Sequence, residues 1–449
     1  MSRIIKKEVL KIYITLTSPL NLSSGESEIT DTDIIRDWYG KPFVPGSSLA
    51  GAMRAYLDKA GNEDCIMGYS GEEDAGKMSP LFVSDITFGE KLVSGIRDGV
   101  KLNNNKTAET GSKYDIEILE TGAKGWFYVE LTVRENDNEA SMKRELALII
   151  KGINSGEICL GSKKTRGFGQ FIITQIKQME YAQNNYLEYA SAYTDEIWEK
   201  GSNVLQTWIE LSDGIDNKML HIKVPLKLDG GISIRKYGVK KGQPDFVHLT
   251  SKHSGNSDIE VPVIPGSSFA GVIRHRVKDI LVELSRTINS SDDSDSDNSN
   301  VNMIMNRAFG YVNGNDANIS NVIIRESEIA DSKPLTMVRT GVSRLESNVK
   351  AGALYKERTY VEGRLTLDIC VRKNESQDEQ WITGLLLLAL KDIQNGLLAV
   401  GGETAIGRGL FCKDGAITID GQENLEDEYI GKVYQRLSDC LDKGGHNKK

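Results

Sequence analysis

The stretch "FVPGSSLAGAMRAYL" (Phe43–Leu57) has a close copy later in the same chain, "VIPGSSFAGVIRHRV" (Val263–Val277). Both contain Pro-Gly-Ser-Ser, then an apolar residue, Ala-Gly, and an arginine nine positions after the proline. In each copy the proline and glycine predict a turn, and the serines that follow predict the start of a helix. A shared motif of this length indicates that the chain repeats one domain.

The segments around the two copies follow the same order. Each half shows an alternating apolar strand, the Pro-Gly-Ser-Ser helix, two strands, a second helix and a closing strand. This order predicts an α+β fold of two tandem ferredoxin-like units, the arrangement that RNA-recognition modules also use. We place the first domain at residues 1–180, a helical linker at 181–215 and the second domain at 216–449, with a disordered acidic loop at about 288–301.

Composition narrows the functional classes. The chain has 449 residues, a formal net charge of −9 and no apolar run long enough to span a bilayer. The acidic balance argues against a general binder of polyanions, although it is compatible with a local basic groove. Five scattered cysteines, without a Cys-x-x-Cys pair, favour neither a disulfide framework nor a zinc site. We therefore expect a cytoplasmic protein that makes no membrane contact.

A glycine-rich loop precedes the closing strand of each half: "GSKKTRGFGQF" (Gly161–Phe171) and "GGETAIGRGLF" (Gly401–Phe411). Neither matches a P-loop or a dinucleotide fingerprint, and a tight turn between helix and strand explains either loop taken alone. The basic side chains in the two loops favour instead a contact with an RNA backbone. They are Lys163, Lys164, Arg166 and Arg408.

The Pro-Gly-Ser-Ser segments are candidate phosphate seats, because the free amides at a helix start attract anions. The candidate contacts there are Ser47, Ser48, Arg54, Ser267, Ser268 and Arg274. The polar loop before each segment holds carboxylates, among them Asp31, Asp33 and Asp245. Carboxylates beside a phosphodiester hold a divalent metal or position an attacking 2′-hydroxyl, whereas in most loops such acids are only solvated charges.

Together these motifs resemble the RAMP superfamily of CRISPR proteins, and in particular the Cas7-like backbone subunits of type III effector complexes. The segment "ITDTDIIRDWYGKPFVPGSSLAGAMR" (Ile29–Arg54) is close to the pattern of that family, and the resemblance covers nearly all of the chain outside the linker. Two fused Cas7-like units resemble type III-D systems. The resemblance implies a subunit that binds a CRISPR RNA and pairs it with a target RNA in antiviral defence.

The resemblance also implies a metal-dependent endoribonuclease that cuts the target RNA with Mg²⁺ or Mn²⁺. The matching catalytic and metal-binding residue is Asp31, with Asp33 as the alternative. In the second half the match is Asp245, but the Arg-Asp that follows in the first half is missing there, which puts activity of that site in doubt. The resemblance places β-hairpin thumbs at roughly 99–114 and 341–355. The remaining implied RNA contacts are Arg97, Tyr114, Arg339 and Tyr355.

The implied partners are other type III subunits, namely a large Cas10-like subunit and further RAMP subunits. Two other interpretations stay open. The first is a non-catalytic, Cas5-like RAMP scaffold that grips the 5′ handle of the guide. The second is an endoribonuclease of the same superfamily that processes repeat RNA. That enzyme needs a histidine as general acid–base, for which His248 and His253 are the candidates.

Overall fold

Alternating apolar side chains build the central strand of the first half, as its sequence pattern predicts. Leu10, Ile12, Ile14 and Leu16 are almost fully buried on one face of that strand. The computed structural model describes residues 2–23, 25, 30–58, 66–69, 76–103, 107–199, 201–237, 242–255, 260–288 and 294–445. The chain divides into two compact units: unit 1 holds residues 1–164, 168–217 and 252–259, and unit 2 holds residues 165–167, 218–251 and 260–449.

The regular elements of unit 1 follow the predicted order, with a long hairpin added. Its strands are β1 (Ile4–Leu16), β2 (Phe43–Val44), β3 (Leu81–Val83), β4 (Ile86–Phe88), β5 (Ser94–Leu102), β6 (Ala108–Leu119), β7 (Lys124–Arg134) and β8 (Phe171–Ala182). Its helices are α1 (Gly46–Asp58), α2 (Glu139–Asn154), α3 (Asp195–Trp198) and α4 (Leu205–Glu210).

The main sheet of unit 1 has the antiparallel order β2-β4-β7-β1-β8, with β3 also paired to β7. Helices α1 and α2 share one hydrophobic core with it, because their apolar stripes face the buried side of β1. The core residues of the two helices are Leu49, Met53, Leu57, Leu146, Ile150 and Ile153. Strands β5 and β6 pair with each other as a separate hairpin, and an isolated bridge joins Leu119 at the end of β6 to Leu20.

The first part of the predicted linker, up to Trp198, packs against the other face of the same sheet, whereas Trp208 of α4 joins the core that contains α1 and α2. On that other face Trp198 is buried in a cluster with Val9 of β1. Lys11, on the same face of β1, forms an ion pair with Asp195 (Nζ–Oδ1 2.6 Å). The hydroxyls of Tyr189 and Tyr193 both donate to Glu130 on β7. The aromatic composition of this segment therefore reflects its role as a cover for the sheet, and its helices are short.

Unit 2 repeats the plan with additions. Its strands are β9 (Met219–Asp229), β10 (Gly231–Ile232), β11 (Arg235–Tyr237), β12 (Phe246–His248), β13 (Thr250–Lys252), β14 (Glu260–Ile264), β15 (Tyr311–Asn313), β16 (Asp316–Asn318), β17 (Val322–Ile324), β18 (Ser327–Glu328), β19 (Lys333–Arg339), β20 (Tyr355–Val361), β21 (Arg364–Arg372), β22 (Leu410–Lys413) and β23 (Thr418–Ile419). Its helices are α5 (Gly266–Ile288), α6 (Ser294–Phe309), α7 (Asp378–Gln394) and α8 (Glu426–Gly445).

The central sheet of unit 2 has the order β17-β21-β9-β22, which matches the order around β1 in unit 1. Helices α5 and α7 bury their apolar faces against it. Helix α8 adds a further layer on α7, where a Cβ on Gly384 would lie 2.1 Å from the carbonyl oxygen of Tyr429. Glycine is therefore needed at residue 384 for the close approach of the two helices.

The acidic stretch differs from the expected disordered loop at about 288–301. Residues 289–293 lie outside the described residues, and the chain is helical again from Ser294 as α6. The helix is explained by apolar residues that begin at the end of the acidic stretch. They recur every three or four positions and therefore share one helix face. The buried ones are Val301, Ile304, Met305 and Ala308.

The structure confirms a mixed α+β architecture with mostly antiparallel sheets. Hairpins occur where the thumbs are expected: β5–β6 in unit 1, with residues 104–106 outside the described part, and β19–β20 in unit 2. The predicted thumb at 341–355 corresponds to the segment between β19 and β20. Among the described helices, none combines the length and the apolar character that crossing a membrane requires.

Candidate functional site

The two Pro-Gly-Ser-Ser segments have the same local structure. Helices α1 and α5 begin at Gly46 and Gly266, and in both the glycine is buried, the first serine exposed and the second partly buried. A Cβ on Gly46 would lie 2.5 Å from the carbonyl oxygen of Val83, and one on Gly266 would lie 2.1 Å from that of Ile324. The glycine of the motif thus lets each helix start directly against a neighbouring strand.

The predicted phosphate seat of unit 1 is partly occupied by the protein itself. The amide of Gly46, the first of α1, donates to Asp85 Oδ1 at 2.7 Å. Arg54 does not point to this seat, because its guanidinium donates to the carbonyl oxygens of Met67 and Gly68 (2.6 and 2.7 Å). In unit 2 Arg274 stands over the ring of Phe309. Ser47 and Ser267 remain the exposed hydroxyls of the two segments, and Ser48 and Ser268 are partly buried.

Asp31 belongs to the loop before α1 and contacts the hairpin of unit 1 at β6. Its amide donates to Asp115 Oδ1 at 3.0 Å, and the amide of Asp115, on β6, donates back to Asp31 Oδ2 at 2.9 Å. Asp31 is exposed. Asp33 has a different task, since its Oδ1 accepts from the amide and the hydroxyl of Thr30 and closes a turn. Asp31 is thus an exposed residue tied to the hairpin, whereas Asp33 stabilises a turn within its own loop.

A second acidic residue of β6 anchors the same loop. Glu117 accepts from the amide of Ile34 (3.1 Å) and from the guanidinium of Arg36 (2.5 Å). Asp115 and Glu117 point to the same side of the strand, because successive side chains alternate. Sequence reasoning missed both residues. The signal was the alternation Asp115, Ile116, Glu117 directly after Tyr114.

Asp245 occupies the matching place in unit 2. Its Oδ2 accepts from the amide of Lys356 on β20 at 2.8 Å. Lys356 follows Tyr355 as Asp115 follows Tyr114, so both loop aspartates bind the amide that comes after a hairpin tyrosine. The side chain at that position differs, however. Unit 1 has a second carboxylate next to its loop aspartate, and unit 2 has an amine.

The oxygen donors of Asp31 and Asp115 suit a hard divalent cation. Mg²⁺ is usually held by one or two carboxylates together with substrate phosphates and water, so two carboxylates are sufficient. Asp245 with Lys356 offers only one. Within the described part of the chain, a different group brings three ligand atoms within 4.8 Å of one another: His221, Asp368 and Cys370. Its nitrogen and sulfur donors do not fit Mg²⁺ or Mn²⁺ well, and Asp368 is already paired with Arg325 at 2.9 Å.

The glycine-rich loop of unit 1 meets the hairpin. Lys163 adopts a positive φ of 54° and places its ammonium 3.9 Å from the centre of the Tyr114 ring. This is a cation–π contact between two of the predicted RNA-binding residues. Lys164 is partly buried, and Arg166, which belongs to unit 2, is exposed. The structure thus brings a cation, an aromatic ring and the Asp31–Asp115 pair onto the same hairpin.

Two predicted RNA contacts have a structural role instead. Arg408 is only 4% exposed and is paired with Glu357 and with Glu403 (Nη1–Oε2 2.7 Å). Arg97 is equally buried and is paired with Glu120 at 3.1 Å. These guanidinium groups hold buried carboxylates, an arrangement that differs from the predicted contact with an RNA backbone. The partly exposed Arg339 also pairs with Glu357 (2.5 Å), and the ring of Tyr355 packs against Phe246.

His248 is buried, and both of its ring nitrogens are engaged. Nδ1 accepts from the amide of Ile234 at 3.0 Å, and Nε2 lies 3.1 Å from the carbonyl oxygen of Val263. Burial lowers the pKa of His248 from 6.5 to about 4. A neutral, enclosed imidazole is unsuited to general acid–base work on an RNA. His253 is partly exposed and does not share this environment.

Comparison with known families matches both halves of the chain. A family model described as the RAMP superfamily aligns with residues 13–172 and again with residues 249–412. Each aligned region contains one Pro-Gly-Ser-Ser helix, one hairpin and one glycine-rich loop. A comparison with curated proteins found no match.

Proposed function

Because this chain belongs to the RAMP superfamily, we propose that it is a two-unit, Cas7-like backbone subunit of a type III CRISPR effector, with a III-D-like arrangement. Family membership itself implies a CRISPR-associated RNA-binding subunit that works with RNA and other Cas subunits. The finer proposal has each unit as a ferredoxin-like domain, supported by the matching strand orders around β1 and β9. The implied partners are a CRISPR RNA, a target RNA, a large Cas10-like subunit and further RAMP subunits.

One observation carries the proposal: the loop before each Pro-Gly-Ser-Ser helix docks an aspartate on the amide that follows a hairpin tyrosine. The same geometry in both units supports two equivalent RNA-binding modules in one chain. In this proposal β5–β6 and the segment between β19 and β20 are the thumbs that separate guide and target. Lys163, Tyr114 and the exposed serines then face the RNA.

Cleavage of the target is assigned to unit 1. Asp31 and Asp115 present neighbouring carboxylates, and together they would hold one Mg²⁺ or Mn²⁺ at the scissile phosphate. When bound, the ion supplies charge neutralisation at that phosphate. The reciprocal hydrogen bonds between Asp31 and Asp115 keep the Asp31 carboxylate at a fixed position next to the hairpin. Unit 2 binds RNA in the same way but cuts poorly, because Lys356 replaces the second carboxylate with a cation.

A non-catalytic scaffold is the second candidate. The observation that favours it is the engagement of Asp31 with Asp115, which also serves simply to tie the loop to the hairpin. The third interpretation, a repeat-processing enzyme, loses His248 as a catalyst because that ring is enclosed and both nitrogens are engaged.

The deciding experiment uses the full chain with its partner subunits. RNA that copurifies with the complex is sequenced, and the complex is then given a labelled RNA complementary to that guide, with Mg²⁺ or with a chelator. The proposal predicts guide-like RNA and cuts that disappear on chelation. Guide-like RNA without any cut assigned to this subunit would favour the scaffold, and the absence of bound RNA would refute both.

A further inference from the structure

A tight turn beside the loop of Asp31 is held by one carboxylate. Asp37 Oδ1 accepts from the amides of Tyr39 (2.9 Å) and Lys41 (2.8 Å). Two backbone hydrogen bonds close the same turn. The amide of Gly40 donates to the carbonyl oxygen of Asp37, and the amide of Asp37 donates to the carbonyl oxygen of Lys41. Gly40 has a φ of +76°, which only glycine adopts without strain. The turn is thus a well-ordered structure.

This turn presents two large aromatic side chains to solvent. Trp38 is 95% exposed and Tyr39 is 84% exposed. Aromatic rings bury large areas when they find a partner, and Trp and Tyr are enriched where proteins bind ligands. Two adjacent exposed rings on a turn closed by these hydrogen bonds therefore point to a binding surface.

We propose that Trp38 and Tyr39 form a stacking platform for an unpaired nucleobase of the bound RNA. The inference rests on the proposed function and adds a contact to it. The exposed Lys41 beside the rings favours a nucleic acid over an apolar protein partner, whereas Arg36 is engaged by Glu117 and the carboxylate of Asp37 is engaged by the amides of the turn. Proteins usually bind single-stranded nucleic acids through cations that contact the phosphate backbone and neighbouring aromatic rings on which the bases stack.

The platform has a defined position relative to Asp31. Arg36 links the turn to β6 through Glu117, and its Nη1 also donates to the carbonyl of Gly40 (3.1 Å). Asp31 links the start of the same loop to β6 through Asp115. Both ends of the loop are thus tied to one strand. A base stacked on Trp38 sets how the RNA strand lies next to the Asp31 carboxylate.

The test uses four variants of the full-length chain. Two are double variants, in which Trp38 and Tyr39 are both replaced by alanine or both by phenylalanine. The other two are Lys41→Ala and, as a control at an exposed aromatic residue, Tyr434→Ala. The probe is a fluorescein-labelled oligouridylate, titrated over a series of salt concentrations. The double alanine variant should bind roughly tenfold more weakly. Its salt dependence should equal that of the wild type, because no phosphate contact is lost. The double phenylalanine variant should retain most of the affinity, and Lys41→Ala should flatten the salt dependence.

An oligomer of the same length without bases provides the second arm, since stacking contributes nothing to its binding. The double alanine variant should bind it as the wild type does. Equal affinity of the double alanine variant and the wild type for oligouridylate overturns the platform and leaves the proposed function intact. Loss of a protein subunit from the complex, with RNA affinity unchanged, also overturns it in favour of a protein contact. Failure of the wild type to bind RNA removes both proposals.

Discussion

Asp31 and Asp115 hold each other by two reciprocal hydrogen bonds of 3.0 and 2.9 Å, in which each carboxylate accepts from the amide of the other residue. In unit 2 the corresponding relationship is one-sided, because Asp245 accepts from the amide of Lys356. The backbone contact is thus common to both units, while the charge beside it is reversed. The predictions for cleavage follow from this difference.

Asp31→Asn retains an oxygen for the amide of Asp115 and removes the charge. Cleavage in the reconstituted complex should fall by about a hundredfold or more, since a neutral amide is a poor ligand for a hard cation. Asp115→Asn should lower cleavage by about tenfold. The amount of copurified guide should not change. Asp33→Asn is the matched control, and it should cut normally because Asp33 Oδ1 accepts from the amide and the hydroxyl of Thr30 in the same loop. If Asp33→Asn stops cleavage and Asp31→Asn does not, the assignment is reversed.

Lys356→Asp introduces a second carboxylate beside Asp245. We expect an additional cleavage product, or a clear increase in a weak one, at a position set by unit 2, because the variant recreates the acidic pair of unit 1. Mapping the products on a sequencing gel measures this directly. Lys350→Asp, in the same hairpin region, controls for the change in net charge. An unchanged product pattern would mean that more than the missing carboxylate silences this unit.

Arg408→Ala removes one of the two cations that contact each of the carboxylates of Glu357 and Glu403, and it leaves Arg339 with Glu357 and Arg235 with Glu403. Glu357 is 1% exposed, so the loss of this charged partner should lower the free energy of unfolding by about 1–3 kcal/mol. Urea denaturation followed by circular dichroism measures the change. Arg166→Ala, at an exposed arginine, should stay within about 0.5 kcal/mol of the wild type. Normal stability of Arg408→Ala combined with a loss of RNA binding would restore Arg408 as an RNA contact.

Gly46→Ala and Gly51→Ala form a matched pair in helix α1. The new methyl group at residue 46 would lie 2.5 Å from the carbonyl oxygen of Val83, and at residue 51 it would meet no atom within 4 Å. Gly46→Ala should therefore destabilise the protein by about 1–3 kcal/mol. Gly51→Ala should stabilise it by about 0.5–1 kcal/mol, because alanine favours a helix interior. Thermal unfolding of the two variants checks the signs, and equal effects would contradict this packing.

His248 makes stability depend on pH. Its pKa is about 4 in the folded chain, against an ordinary value of 6.5, because the ring is buried. The unfolded chain therefore takes up a proton below about pH 6.5 that the folded chain accepts only near pH 4. Stability is full above pH 6.5 and falls through this window by up to about 3 kcal/mol.

The measurement compares the free energy of unfolding at pH 7 and pH 4.5 in the wild type and in His248→Gln. The amide of glutamine can still donate towards Val263 but does not titrate. The free energy of unfolding of the His248→Gln variant should therefore fall less between pH 7 and pH 4.5 than that of the wild type. His275→Gln is the control at a surface histidine. Equal losses in the wild type and in His248→Gln would show that other groups cause the acid sensitivity.

The order of the elements follows from local patterns in the chain. Strand alternation places Leu10 to Leu16 on one face, and the turn before Gly46 and Gly266 starts the two helices. The acidic stretch shows the limit of composition, because the apolar stripe of α6 begins where the acidic residues end. Trp38 and Tyr39 were not selected from the sequence, since an aromatic pair is more often part of a core than exposed.

The roles of the charged residues, in contrast, depend on contacts between distant segments. Arg408 and Arg166 lie in matching glycine-rich loops, yet one is enclosed by Glu357 and Glu403 while the other is exposed. Asp31 and Asp115 are 84 residues apart, and they meet only because the loop reaches β6 at one particular residue. The sequence by itself determined that there are two copies and how their elements alternate, since this information lies in neighbouring residues. Tertiary structure decided which charges are paired and which face solvent, because burial and strand register join residues that no local pattern connects.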